Sequence, residues 1–248
     1  VPYLENHRRM LSMLCDAIKG VYASVYFKDS KAYMQATRNV IDEEKMAVVL
    51  QEVVGSRYGD HFYPNISGVG RSLNYYPLDD ERAEEGTVSL ALGLGKYIVD
   101  GGRTLRVCPA HPARVLQTSD TEMALRETQT RFCALDLKNM GENFSVDDGF
   151  NLLRLPVKVA DADGALQFIA STFNPTDQVI YPGLYPGGRK IISFVGVLEH
   201  DVVPLPQIMR EVLQMGEEAM RRPVEIEFAV EIDAKNRSCV FYLLQIRP

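Results

Sequence analysis

PVEIEFAVEIDAKNRSCVFYLLQIRP, residues Pro223 to Pro248, closes the chain. Apolar and polar residues alternate on both sides of the polar segment AKNRS, a pattern that predicts a β-hairpin. Side-chain alternation puts Glu225, Glu227 and Ala229 on one face, with Ile226, Phe228 and Val230 on the other. On the second strand Tyr242, Leu244 and Ile246 alternate with Leu243, Gln245 and Arg247. With AKNRS as the loop, Asp233 pairs with Cys239, which sets Glu227 opposite Gln245 and Glu225 opposite Arg247. Opposed Cβ atoms lie about 4.5–5.5 Å apart, so the four polar groups form one compact square. Two carboxylates and an amide oxygen are hard ligands suited to Mg2+, and a guanidinium offers a fork of donors to a phosphate. Positioning and charge neutralisation of this kind are what phosphoryl transfer requires. On spacing alone, the same residues also read as a solvated hairpin face with one cross-strand ion pair.

The rest of the composition narrows the classes. A chain of 248 residues that is 46% hydrophobic has mass for one large domain or two small ones. With 27 basic against 33 acidic residues, net charge −6, it has no general attraction for nucleic acid or an anionic membrane. Cys15, Cys108, Cys133 and Cys239 are scattered singly, and His7, His61, His111 and His200 share no metal-site or triad spacing. A disulfide framework or zinc site is therefore not expected, and a cytoplasmic location is. No apolar run approaches the roughly 20 residues of a membrane span. The start at Val1 without Met, and the stop directly after a strand, are what a piece of a longer polypeptide would show.

Upstream, Leu4, Leu11, Leu14, Ile18, Val21 and Val25 recur near a period of 3.6 and predict an amphipathic helix, followed by a second helical stretch through Ala36. The apolar run from Met46 to Leu50 predicts a buried strand with a polar exit through Gln51 and Glu52. ISGVGRSLNYY and GTVSLALGLGKYIVDGG are glycine-punctuated strands or strand-to-helix junctions on either side of a charged turn. The region from Cys108 to Phe144 reads as polar and helical, with Ser119 or Asp120 as an N-cap. LLRLPVKVA and KIISFVGVLEH read as strands separated by the loop YPGLYPGGRK. PLPQIMREVLQMGEEAMRR is a helix with Pro206 in its first turn and a buried face of Ile208, Val212, Leu213 and Met220. GLGK is too short for a phosphate-wrapping P-loop. CPAHPA reads as a turn around His111.

EIEFAVE followed by VFYLLQIRP closely resembles the end of the ATP-grasp nucleotide-binding region of phosphoenolpyruvate synthase and pyruvate phosphate dikinase. That region carries an acidic-I-E-F/W strand and then a strand ending L-Q-x-R. KMAVVLQEVV is similar to the family's strand leading into the adenine-contacting hinge, ISGVGRSLN to its S-G-V strand, and LALGLGKYIVDGG to its A-x-x-G-L-G-E stretch. LCDAIKGVYASVYFKDSKAYMQ is similar to the preceding helical segment, so the likeness covers roughly residues 10–106 and 223–248 in the family's order. It implies an α+β, ATP-grasp-like fold with a mixed, mostly antiparallel sheet. It further implies a helical segment over residues 1–44, a core from 45–107 and 221–248, and an insertion or additional subdomain over 108–220.

The resemblance also implies MgATP binding, with phosphoryl groups passing to a histidine on a separate domain and then to pyruvate on another domain of the same polypeptide. It places Glu225 and Glu227 at the acidic, metal-binding positions, Gln245 at the amide position and Arg247 at the phosphate-binding arginine, with Arg247 and Glu227 as the catalytic pair. Gln51, Glu52, Val53 and Val54 correspond to the hinge against which adenine lies. Two positions depart from the pattern: Lys96 stands where the family has glutamate, and Ser89 where it has an acidic residue. Losing two carboxylates beside a polyphosphate motivates the alternative of a degenerate binding or regulatory module. The family's other nucleotide lobe and its phosphohistidine and barrel domains are not in this chain, which alone is expected to be inactive.

Overall fold

The computed structural model describes residues 6–36, 45–138, 149, 151–200, 202–233, 235–236 and 238–248. The chain forms two units, one of Val1–Val53 with Asp136–Leu152 and the other of Val54–Leu135 with Leu153–Pro248.

In the first unit the expected helices are α1 (His7–Ala23) and α2 (Lys28–Ala36). Asn6 caps α1 by accepting the Arg9 N–H at 3.2 Å. Residues 45–54, expected to contain a buried strand, form no strand. Val49 is 84% exposed and Leu50 68% exposed. β-branched content describes fitness for a half-buried pleated surface; it does not create one without neighbouring strands.

In the second unit a five-stranded sheet carries the order β12–β11–β3–β4–β5. Its strands are β3 (Ile66–Arg71), β4 (Thr87–Ala91), β5 (Leu105–Val107), β11 (Glu225–Asp233) and β12 (Ser238–Arg247), and every neighbouring pair is antiparallel. Ile226, Phe228 and Val230 point to the buried face together with Val88, Leu90, Leu105 and Val107. The glycines of β3 make that face close-packed. A Cβ on Gly68 would lie 2.1 Å from the Phe228 ring, and one on Gly70 would lie 2.6 Å from Met209 Cε. Helix α7 (Leu205–Met220) lies over this side of the sheet. It buries Leu205, Pro206, Met209, Leu213 and Gly216, so the apolar face is turned from the expected one: Ile208 and Val212 are half-buried and Met220 is exposed.

Two further sheets complete the unit. One has the order β1 (Ser56–Tyr58), β2 (His61–Tyr63), β6 (Arg131–Asp136), β7 (Leu152–Pro156). The other has the order β10 (Arg189–Ile192), β8 (Ala170–Asn174), β9 (Val179–Pro182). In the polar region after Cys108, whose residues 139–144 lie outside the described ones, the described residues form a 3-10 turn at Leu116–Thr118 and the helix α4 (Thr121–Glu127), where Asp120 is the cap and accepts the Met123 N–H at 2.8 Å. Directly afterwards Phe132, Cys133 and Ala134 are buried in β6 instead of continuing a helix, as a short apolar run bounded by polar residues does when a sheet covers it. LLRLPVKVA and KIISFVGVLEH are each a strand followed by a short helix. Pro156 lacks the N–H to extend β7 and caps α5 (Val157–Ala162), while Phe194 in the left-handed region (φ +52°) turns the chain into α6 (Val195–Leu198). One apolar cluster joins Phe228, Leu90, Val88 and Met209 to Phe132, Leu166, Ile169 and Val197, so residues from 108–220 and from the sheet on either side share a core.

A short helix α3 (Lys96–Val99) follows β4. At Gly93 φ is +85°, and a Cβ would meet the Cys133 carbonyl oxygen at 2.6 Å, so this turn requires glycine. Ser67 on β3 donates its hydroxyl to the Gly93 carbonyl and fixes the turn against the sheet.

Candidate functional site on the open face of the sheet

The face opposite α7 carries the polar residues. The hairpin closes with Asp233 opposite Ser238, one residue short of the expected pairing. Asp233 holds this tighter turn by accepting the Lys235 N–H at 2.9 Å and the Asn236 N–H at 3.2 Å. Continued without interruption, that register would set Glu227 opposite Leu244 and send Gln245 and Arg247 to the buried side. A β-bulge prevents it. Phe228 pairs with Leu243 but Glu227 with Gln245, so Leu244 is the additional residue and the pairs Glu227–Gln245 and Glu225–Arg247 are restored. The turn register therefore corrects the expectation, while the register at the four polar residues agrees with it. Tyr242 also changes sides: it lies opposite Ala229 and donates to Glu231 Oε2 at 3.3 Å, on the polar face.

At the end of the sheet three strands contribute one row: Arg247 on β12, Glu225 on β11 and Arg71 on β3. Arg71 Nε donates to Glu225 Oε2 at 2.6 Å, Arg247 Nε donates to Oε1 at 2.9 Å, and Arg247 Nη2 donates to the same oxygen. The Glu225 side chain is 17% exposed, whereas those of Arg71 and Arg247 are 53% and 56% exposed. Burial pushes the Glu225 carboxyl up, but the hydrogen bonds and charges of the two guanidinium groups outweigh it and hold the group below its ordinary range. A guanidinium has five N–H donors, so most of those on Arg71 and Arg247 remain for another acceptor.

The next row inward is Gln245, Glu227, Val69, Ser89 and Arg106 across the five strands. Glu227 is half-buried and makes no hydrogen bond or ion pair among the described residues; neither does the amide of Gln245 opposite it. A carboxylate that meets only the charge of Arg247, beside an amide oxygen with no hydrogen bond, is a donor set that suits a hard cation. Glu225 is committed to its two arginines. Ser89 stands in the row of Glu227, separated from it by β3. Lys96 pairs with Asp100 at 2.8 Å, and Arg154 donates to the other Asp100 oxygen. Of the expected hinge, Gln51, Glu52 and Val53 are exposed and lie in the first unit, while Val54 is half-buried in the second.

Arg71 is the residue that the sequence did not single out. It ends the quoted strand ISGVGR, two residues beyond Val69, and strand alternation alone puts it on the face of Ser67 and Val69. Arg106 on β5 is turned to the loop after β3, where it donates to Asn74 Oδ1 at 2.8 Å and to the Tyr76 carbonyl at 2.6 Å. Asn74 and Glu81 are both buried and hydrogen-bonded to one another at 3.0 Å, so this loop is anchored from within.

An α+β unit whose largest sheet is antiparallel and carries such a face has the architecture expected of an ATP-grasp-like domain. The chain belongs to the family described as pyruvate phosphate dikinase, AMP/ATP-binding domain, which matches residues 3–248. The match includes residues 108–220 as well as the segments on either side. The protein is therefore the nucleotide-binding part of an enzyme of the pyruvate phosphate dikinase and phosphoenolpyruvate synthase type. No curated protein matches the chain. Among the described residues no helix is long and apolar enough to cross a membrane.

Proposed function

We propose that the open face of the hairpin receives the phosphates of MgATP, and that the chain serves an enzyme that phosphorylates a histidine on another domain and then pyruvate. The observation that carries this reading is the row Arg71–Glu225–Arg247, in which one shielded carboxylate holds two exposed guanidinium groups side by side. Arg247 and Arg71 bind phosphate oxygens through their remaining donors and neutralise charge as the phosphoryl group leaves. Glu227 and Gln245, whose side chains make no hydrogen bond among the described residues, are the first ligands for Mg2+, with Glu225 placed behind them as the group that fixes the arginines. Bound Mg2+ supplies charge neutralisation at the phosphates. Gln51, Glu52, Val53 and Val54 cover adenine in this reading, and cytoplasm is its compartment.

Calorimetric titration of the full-length polypeptide with MgATP tests the assignment. Arg247→Ala is expected to weaken binding at least tenfold, and Glu227→Gln to weaken MgATP more than metal-free ATP. Unchanged affinity in both variants would remove the hairpin from the nucleotide site.

A second reading, a binding or regulatory module without catalysis, is favoured by one observation. Lys96, at the position of the family's glutamate, is held by Asp100 in a network with Arg154. ATP-dependent phosphorylation of a histidine in the complete protein would exclude it.

A further inference from the structure

Outside the polar face, the structure brings together a group of side chains from the 3-10 turn Ala83–Glu85 and the segment after β5. Val88 on β4 lies opposite Val107 on β5, so the residues just before β4 and just after β5 are neighbours. Glu85, Cys108 and His111 meet there, with one ligand atom from each lying within 4.8 Å of the others. His111 Nε2 is 3.2 Å from Glu85 Oε2, and Cys108 Sγ is 4.0 Å from the same oxygen. The imidazole nitrogen is buried, yet it makes no hydrogen bond, because its approach to the carboxylate lacks the alignment of one. We propose that Glu85, Cys108 and His111 form a binding site for a zinc-class divalent cation, with a fourth position left to water or an anion.

The Glu85 carboxylate and the turn that carries Cys108 and His111 are each held by further contacts. Glu85 Oε2 accepts the Arg82 backbone N–H at 2.9 Å, and Oε1 accepts Arg82 Nε at 3.1 Å. The turn is closed by the His111 N–H on the Cys108 carbonyl at 3.0 Å and is braced by Arg210 of α7, which donates to the Pro109 carbonyl at 3.2 Å. Burial, with the charges of Glu81 and Glu85, holds the Cys108 thiol above its ordinary range, and the backbone N–H groups of Ala110 and His111, which point at its sulfur, offset part of that rise. Such outer contacts orient metal ligands before the metal arrives.

The donor set chooses the ion. One sulfur, one imidazole nitrogen and one carboxylate oxygen suit a borderline-soft cation; Mg2+ and Ca2+ take oxygen alone. Tetrahedral zinc with bonds of about 2.0–2.3 Å separates its ligands by about 3.3–3.5 Å. The nitrogen–oxygen distance of 3.2 Å already meets this, and the sulfur–oxygen distance of 4.0 Å needs to close by only a fraction of an ångström. Glu85 and Ala110 also line a cleft of about 820 Å³ whose walls carry both arginines and glutamates, so the Glu85 end of the site borders an open space.

Cobalt substitution followed by zinc competition in the metal-stripped full-length protein tests the site. One equivalent of Co2+ should produce a thiolate-to-cobalt charge-transfer band with tetrahedral ligand-field bands, and Zn2+ should displace it. Cys108→Ser should abolish the charge-transfer band, His111→Ala should weaken Co2+ on the order of 10–100-fold, and Arg247→Ala should change neither. Absence of the band in the unaltered protein, or its survival in Cys108→Ser, would overturn the proposal. Zinc-edge X-ray absorption on the unaltered protein probes the same site without a variant: a sulfur scatterer is expected in the zinc shell, and a shell of light atoms alone defeats the assignment.

Discussion

Glu225 on β11 lies opposite Arg71 on β3 and opposite Arg247 on β12, and accepts from both: Arg71 Nε at 2.6 Å on one oxygen and Arg247 on the other. The carboxylate is the most enclosed member of the row, so it organises two cations whose far ends face solvent.

The row makes stability depend on acid. Because the folded carboxyl is held below its ordinary value, its contribution is fully present above the unfolded pKa near 4.5 and is lost as pH falls through the depressed folded value. Glu225→Gln should lower stability by about 1 kcal/mol at neutral pH, a fall of roughly 2–4 °C in Tm. The gap between variant and unaltered protein should shrink below about pH 4.5. Thermal melts across pH check this; a gap that stays constant to pH 3 would show that the ion pairs contribute nothing.

Gly68 is a steric requirement of the Phe228 ring. Gly68→Ala should cost about 1–3 kcal/mol by overpacking, read from urea unfolding, because the new Cβ meets the ring at 2.1 Å. Phe228→Leu in the same chain should return part of that loss, since contacting residues are not additive. Simple additivity of the two changes would show that the collision is relieved elsewhere.

The bulge at Leu244 predicts an asymmetry between two changes of equal size. Deleting Leu244 leaves Glu227 opposite Gln245 in an uninterrupted ladder, so MgATP affinity should change by less than about tenfold. Inserting one alanine after Leu243 moves Gln245 and Arg247 to the buried face, and binding should be lost. Equal effects in calorimetry would refute the role given to the bulge.

Glu81 anchors the loop that follows β3. It is buried and accepts from Asn74 Nδ2 and the Leu78 N–H, each at 3.0 Å. Glu81→Ala strands both donors and should cost about 1–3 kcal/mol, and hydrogen exchange should rise first at Leu78. Unaltered exchange there would mean that the loop is held by other contacts.

Local periodicity and motif order made much of this legible. The hairpin follows from period-two alternation, and α7 from its 3.6-residue repeat with Pro206 in the first turn. Glu225, Glu227, Gln245 and Arg247 were readable because alternation and one pairing fix their face. The bulge was not, because an extra residue leaves no mark on the pattern, and two one-residue differences cancelled between the turn and the site. β6 was hidden behind a polar helix, and β8 and β9 behind proline and glycine. Residues 45–54 have the composition of a strand but lie in no sheet. Arg71 required knowing that β3 pairs with β11, a contact across more than half the chain. Cys108 and His111 stood three apart in plain view, but Glu85 joins them only through the β4–β5 pairing.

Helix α7 touches the sheet where that contact bears on both arginines. Its Met209 sits over Gly70, the residue before Arg71, and its Gly216 receives Ile246, the residue before Arg247. Each of these residues shares a peptide unit with one arginine, so α7 packs from behind against the residue next to each of the two arginines that flank Glu225. A larger residue at Gly70 or Gly216 would therefore press on the backbone beside an arginine, although both positions lie on the side of the sheet away from the polar face.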